Sequence, residues 1–204
     1  MVEYNSDIKS LEKLPALRSQ LEQQGYDIVF LDFSEGAELI QHNAMVLVEL
    51  LDWINQAAHR EGNEETVVMG ASMGGQVARF ALAWMEQQRL CHNAKLYVSF
   101  DSPHRGANIP LGIQSLVDRL SEVWIGPGGF REAKTKLLRP ASRQMLVMHF
   151  DPNATGPREA WQAWQQSPGS YPSLLCKVAV ANGSGQAVGQ PGMTLGTQLM
   201  RTAH

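Results

Sequence analysis

A short glycine-rich stretch around one serine carries the clearest chemical signal in the sequence. Residues 70–75 read Gly-Ala-Ser-Met-Gly-Gly and stand between an apolar run at 66–69 and a helix-like segment at 76–88. A serine flanked by small residues at a strand-to-helix turn is typical of a nucleophile elbow, in which strained backbone projects the hydroxyl out of the sheet. We therefore predict that Ser72 is a nucleophile. The alternative is a glycine-rich turn that merely exposes a serine.

The residues around this serine have separate expected roles. Gly70 and Gly74 are expected to leave room where a Cβ would clash, and Gly75 to let the following helix lie close to the strand. The backbone N–H of Met73 opens that helix, so it is the predicted donor that stabilises an oxyanion. The predicted chemistry is nucleophilic attack, with backbone stabilisation of the negative charge that develops.

A serine hydroxyl is unreactive without a base, and the base needs a carboxylate to orient it. Asp101 follows the strand next to the elbow strand and is the predicted acid. The alternative is that Asp101 caps the turn that it forms with Ser102 and Pro103. Asp32 also ends an apolar run, but it lies one strand further from the serine, so a structural role is expected for it.

The identity of the base stays open among the six histidines of the chain. His104 lies at the same edge of the predicted sheet as the serine, and His204 is the last residue of the chain. A third possibility is that the base lies beyond the end of this chain or is absent. The other four histidines fall on a helix surface, at the far end of the sheet or in the later helical region: His42, His59, His92 and His149.

Alternating strands and helices are expected to position these residues. Apolar periodicity predicts helices at 8–24, 37–58 and 76–88, and strands at 27–33, 66–69, 95–100 and 174–180. Such alternation indicates βαβ units and a mostly parallel sheet with helices on both faces, which is the α/β class. Ligands bind at the carboxyl ends of the strands of such sheets, where Asp32, Ser72 and Asp101 fall.

The pattern loosens between Pro110 and Gln166, where prolines and glycines separate short helical stretches at 113–123, 131–138 and 141–148. An excursion of this size between two strands is typical of a cap over an active site. The alternative is a set of ordinary helices that pack on the sheet. We predict one domain spanning 1–204, with 110–170 as a helical cap within it. Large aromatic residues are scattered through the region, among them Trp124, Phe130, Trp161 and Trp164.

The composition excludes several classes of function. The chain has 204 residues, 44% of them hydrophobic, and a formal net charge of -3. These values suit a globular domain, and they match neither a nucleic-acid-binding protein nor a polybasic membrane patch. No apolar run is long enough to span a bilayer. The polar N-terminus does not look like a signal peptide, so a cytoplasmic location is expected. Cys91 and Cys176 form no metal or redox motif, and Cys176 is expected to be buried.

These features together resemble α/β-hydrolases of the lipase/esterase type. The elbow at 70–75 resembles the family's nucleophile motif, and residues 101–107 resemble the Pro-His-x-Gly turn that many lipases carry after the next strand. The resemblance implies that His104 shapes this turn, and the family's Ser, Asp, His order favours His204 as the base. The chain departs from the family because it lacks the glycine-rich oxyanion loop, the earlier strands and the terminal histidine motif. It therefore looks short at both ends.

The function expected from these residues is the hydrolysis of carboxylic esters. Ser72 attacks the carbonyl of a small-molecule ester, an acyl-enzyme forms, and water releases the acid, with no metal or organic cofactor. The alternative is a non-catalytic or truncated hydrolase-fold fragment that acts as a binding module. The sequence gives no indication of the oligomeric state.

Overall fold

The computed structural model describes residues 15–59, 62, 64–123 and 129–181 of the chain. They belong to two compact units, and the second unit begins at Glu35. The division does not test the prediction of one domain with a cap, which stays a prediction.

The described part of the first unit, residues 15–34, contains one helix, α1, which spans Pro15–Gln23. Gly25 follows the helix with a φ of 82°, a left-handed conformation that is typical of the residue after a helix C-terminus. The predicted helix at 8–24 is thus confirmed from residue 15, and its earlier part lies outside the described residues.

The apolar run at 27–33 forms no strand, so that prediction is wrong. Val29 and Phe30 within it are 55% and 36% exposed. An apolar run becomes a strand only where a neighbouring strand pairs with its backbone N–H and C=O groups, and hydropathy does not reveal whether such a neighbour exists. Asp32 therefore ends no strand; its carboxylate accepts a hydrogen bond from the Phe33 N–H at 2.9 Å.

Within the described residues, the second unit contains a sheet of three parallel strands. β1 spans Thr66–Ala71, β2 spans Ala94–Phe100 and β3 spans Cys176–Val180, and they lie side by side in that order. The α/β class and its parallel sheet are confirmed. The strands predicted at 66–69 and 95–100 are present, and each extends slightly beyond its predicted bounds.

Two helices of the second unit support the elbow strand. α2 spans Ile40–Asn55 and α3 spans Met73–Gln87. α3 lies against β1 and β2, and α2 packs along α3. The apolar residues of α3 recur at helical spacing and form its buried side. That spacing predicts five inward-pointing residues, of which four are buried and Trp84 is only half-buried. The four buried ones are Val77, Phe80, Ala81 and Met85.

The two faces of the sheet differ in how well they are covered. Successive side chains of a strand point to opposite faces. Val68, which shares a face with Gly70, is 7% exposed, whereas Met69 on the other face is 55% exposed. Every residue of β3 is exposed, including Cys176, for which the prediction of burial is wrong. Cys176 lies beside Leu96 of β2 on the same face as Met69, and that face is largely open.

The chain between β2 and β3 is helical, as predicted. The helices are α4 (Leu111–Val123), α5 (Phe130–Leu138), α6 (Pro140–Met145), a 3-10 turn (Pro152–Ala154) and α7 (Thr155–Gln166). Each α-helix packs on the next. Residues 124–128, with Trp124, lie outside the described residues. Among the described helices, none combines the length and the apolar character that crossing a bilayer requires.

This helical region contacts α3 through aromatic side chains. Trp161 of α7 is fully buried, and its ring stacks on Phe80 of α3 with centroids 5.9 Å apart. Trp164 lies against the same phenyl ring at 4.6 Å. These two tryptophans therefore make core contacts, and a role for the region as a cap over the site stays a prediction.

Candidate active site

Ser72 stands at the junction of β1 and α3 with an unusual backbone conformation. Its φ is 52° and its ψ is -122°, and a non-glycine residue at positive φ persists only where the surrounding structure imposes it. The Ser72 N–H donates to the Phe100 carbonyl of β2 at 2.9 Å, and the residue itself is exposed. The conformation, the strand-to-helix junction and the exposure together match the predicted nucleophile elbow.

Met73 is the first residue of α3. The first N–H groups of a helix have no acceptor within the helix, and they form the positive end of its dipole. The Met73 N–H is therefore in a position suited to an oxyanion that forms next to Ser72.

The three glycines of the elbow have different neighbours. A Cβ on Gly70 would overlap the carbonyl group of Gly74, which is backbone and has little freedom to move. A Cβ on Gly74 would meet nothing within 4 Å, so the predicted clash there is wrong. A Cβ on Gly75 would overlap the Ser102 side chain and approach the Ser99 hydroxyl. Gly75 thus allows α3 to approach β2 and the turn that follows it.

Asp101 occupies the position on β2 that corresponds to Ser72 on β1. Ala71 and Phe100 are paired across the two strands, so the residues that follow them are neighbours at the carboxyl edge of the sheet. Asp101 also has a positive φ, 49°, and its N–H donates to the Val180 carbonyl of β3 at 2.6 Å. Its side chain is exposed, and its role as the acid stays a prediction.

His104 is held by β2 through a hydrogen bond. Its Nε2 lies 2.7 Å from the Ser99 hydroxyl, and its Nδ1 is buried with no hydrogen-bond partner among the described residues. Burial, with a contribution from the positive charge of Arg79, lowers the pKa of His104 to about 4. The imidazole is therefore neutral at neutral pH, and its Nε2 already has the Ser99 hydroxyl as a partner.

The other described histidines have local partners. His149 accepts a hydrogen bond from the Asp151 N–H and lies 2.9 Å from the Leu137 carbonyl. His92 accepts from the Ala94 N–H, His59 stacks on Trp53, and His42 is exposed near Glu38. Within the described part of the chain, no histidine is hydrogen-bonded to Ser72. His204 lies outside the described residues.

Two buried polar residues of α3 were not predicted from the sequence. Gln76 is fully buried, and its amide joins the Pro103 carbonyl to the Trp161 indole. The available signal was its spacing, because Gln76 precedes Phe80 by four residues and so shares its inward side.

The second missed residue is Arg79, which is 1% exposed. Its guanidinium donates to the carbonyl and hydroxyl oxygens of Ser170 and to the Gln165 carbonyl, and it lies 3.5 Å from the centre of the Tyr171 ring. Burial lowers its pKa. Arg79 thereby fastens the chain after α7 to the elbow helix.

A parallel sheet with a serine at a strained strand-to-helix turn defines a protein of the α/β-hydrolase type. The family model described as "PGAP1-like alpha/beta domain" matches residues 23–143, which is more than half of the 204 residues. The chain belongs to this family. The match includes the elbow and the turn at 101–107. Comparisons with curated proteins and with solved structures give no match.

Proposed function

We propose that this protein is a serine hydrolase that cleaves carboxylic esters through an acyl-enzyme on Ser72. The observation that carries the proposal is the backbone of Ser72, which is strained at a φ of 52° and exposed directly before the N-terminus of α3. The family adds support, because a PGAP1-like alpha/beta domain is of the α/β-hydrolase type.

The proposed reaction makes use of this geometry. A base takes the proton of the Ser72 hydroxyl as its oxygen attacks the ester carbonyl, and the Met73 N–H stabilises the resulting oxyanion. The C–O bond to the alcohol then breaks, and the alcohol leaves with that proton. Water attacks the acyl-enzyme in the same way, which releases the carboxylic acid and restores the serine.

The proposed acid is Asp101 and the proposed base is His204, with His104 as the alternative base. Asp101 is supported by its place beside Ser72 at the carboxyl edge of the sheet. His104 is the weaker candidate, because its Nε2 is already hydrogen-bonded to Ser99. To act as the base it would have to exchange that partner for the Ser72 hydroxyl.

The test is covalent labelling of the purified protein with a fluorophosphonate, read by intact mass. We expect one adduct on the wild type, none on Ser72→Ala, and an unchanged adduct on Ser115→Ala, which removes an exposed serine of α4. Peptide mapping should place the adduct on Ser72. The labelling rates of His204→Gln and His104→Gln are then compared. Only replacement of the true base should slow labelling by about 100-fold or more.

A second candidate function is binding without catalysis. It is favoured by one observation, that no histidine in the described ranges is hydrogen-bonded to Ser72. A folded wild type that forms no adduct, with the same circular dichroism spectrum as Ser72→Ala, would favour this function and overturn the proposed hydrolysis.

A further inference from the structure

We infer that Gln76 is a positioning residue, whose side-chain amide holds the turn at 101–107 in register with the nucleophile elbow. The inference rests on the proposed function for its effect on rate. It does not rest on that function for its effect on the turn, which is measured separately.

The geometry around Gln76 joins three parts of the fold. Gln76 follows Ser72 by four residues, which is about one helical turn. Its Nε2 donates to the Pro103 carbonyl at 2.8 Å, and its Oε1 accepts from the Trp161 indole N–H at 3.0 Å. One amide therefore connects the first turn of the elbow helix to the 101–107 turn and to α7.

The chemistry of the partners fixes the orientation of this amide. An indole N–H only donates and a backbone carbonyl only accepts, so Oε1 must face Trp161 and Nε2 must face Pro103. Gln76 is fully buried, so water cannot easily replace either partner. The Pro103 carbonyl also accepts from the Gly106 N–H at 2.8 Å. An apolar side chain of similar size would therefore remove the link from α3 to this carbonyl and leave the buried Trp161 N–H without its acceptor.

The turn at 101–107 contains two predicted catalytic partners of Ser72, and both lie within the described residues. Asp101 opens it and His104 lies at its centre. Gly75 lies against the Ser102 side chain, and His104 is tied to Ser99. Gln76 supplies a hydrogen bond from α3 to this turn, so losing it should shift the turn relative to the elbow. Displacing a catalytic group by about 1 Å can lower a rate by roughly 100-fold.

The test compares Gln76→Leu with Gln87→Leu. Gln87 is a matched control, because it lies on the same helix and its Nε2 also donates to a backbone carbonyl, that of Gly169, at 3.0 Å. With a small nitrophenyl ester, Gln76→Leu should lower kcat by about 10- to 100-fold with KM changed less than about twofold. Gln87→Leu should leave both constants unchanged.

A second readout follows the turn itself and does not need activity. The pKa of His104 is about 4 because the residue is buried near Arg79. Tyr171 also faces it, with ring centroids 6.0 Å apart. Both residues remain in the variants, so in Gln76→Leu a displaced turn should expose His104 and raise its pKa towards 6.5. Proton NMR titration, with His104→Gln to assign the resonance, measures this shift.

The outcomes separate the two proposals. An inactive wild type would end the proposed hydrolysis, whereas a raised His104 pKa in Gln76→Leu alone would still support positioning. An unchanged His104 pKa and unchanged kcat in Gln76→Leu would overturn the inference. If Gln76→Leu folds poorly, Gln76→Glu replaces it. This variant keeps an acceptor for Trp161 but sets a carboxylate oxygen against the Pro103 carbonyl, and the same two readouts apply.

Discussion

The two faces of the sheet reverse the usual relation between polarity and burial. On the face against α3, Tyr97 and Ser99 of β2 are each 3% exposed. On the opposite face, Met69, Phe100 and Val178 are 45–55% exposed. Two polar-tipped residues of β2 are thus buried, whereas apolar residues of all three strands are exposed on the opposite face. Val68 of β1, which is apolar and 7% exposed, follows the usual relation.

The cause of this reversal lies in α3 rather than in the strands. Gly75 lets α3 approach β2 closely enough for the Tyr97 hydroxyl to donate to the Gly75 carbonyl. Ser99 finds its partner in His104. Buried polar groups are tolerated when they are hydrogen-bonded, so the face against α3 can hold the residues that support the site. Position relative to α3, and not hydropathy, decides which side chains are buried here.

The largest loss of stability on the face against α3 is expected from adding a methyl group at Gly70. Gly70→Ala places a Cβ against the backbone carbonyl of Gly74, so β1 and α3 must separate. We expect a loss of about 3 kcal/mol in the free energy of unfolding, measured by urea denaturation, together with loss of fluorophosphonate labelling.

Gly74→Ala is the matched control on the other side of Ser72. Its Cβ meets nothing within 4 Å, and alanine is about 1 kcal/mol better than glycine within a helix. We expect unchanged or slightly higher stability. Equal destabilisation by the two substitutions would show that the close approach of β1 and α3 at Gly70 does not limit stability.

Glu86 of α3 binds the residues that directly precede β3, and replacing it tests how much this contact stabilises the fold. Its carboxylate accepts hydrogen bonds from the N–H groups of Ser173 and Leu174 and from the Ser173 hydroxyl, at 2.7–2.8 Å. Burial opposes ionisation, but these hydrogen bonds outweigh it, so the pKa of Glu86 lies below its usual value. We expect Glu86→Gln to cost about 2 kcal/mol at neutral pH, since hydrogen bonds to a charged group are lost.

The sign of the pH dependence follows from the lowered pKa. A carboxyl group whose pKa is lower in the folded protein stabilises the fold above its unfolded pKa, and the contribution disappears as the pH falls through the folded pKa. The difference between wild type and Glu86→Gln should therefore shrink in acid. Glu132→Gln, which removes an exposed pair with Lys136, is the control and should change stability far less. If Glu86→Gln lowered the free energy of unfolding equally at neutral and at acid pH, the lowered pKa of Glu86 would not be the cause of its effect.

The elbow was predictable because its signals are local. The motif, the apolar strand and the helical periodicity all lie within about 20 residues, and Ser72 has the strained backbone that they predict. The supporting contacts were not predictable, because they join distant positions. Gln76 and Trp161 are 85 residues apart, and nothing in either local pattern indicates that the glutamine amide faces an indole.

The same reasoning explains the failed strand. Residues 27–33 have the composition of a buried strand, yet strand formation depends on a pairing partner that local sequence does not specify. The exposure of Cys176 has a related cause. Its apolar surroundings predicted burial, but every residue of β3 is exposed, because α3 packs on β1 and β2. Hydropathy gives the tendency of a side chain to be buried, and packing decides whether it is.

The sharpest test of the difference between the two faces uses adjacent residues of β1. Val68 and Met69 are adjacent in β1 and both pair with β2, so position in the strand and backbone pairing do not distinguish them. They differ in the face to which they point, and Val68 is 7% exposed whereas Met69 is 55% exposed. Val68→Ala should lower the free energy of unfolding by about 1.5 kcal/mol, as expected for removing two buried methyl groups. Met69→Ala removes more atoms, but from an exposed position, and should change it by less than about 0.5 kcal/mol. A larger loss at Met69 than at Val68 would mean that the apolar face is covered in solution, since only burial gives those methylene groups a stabilising role.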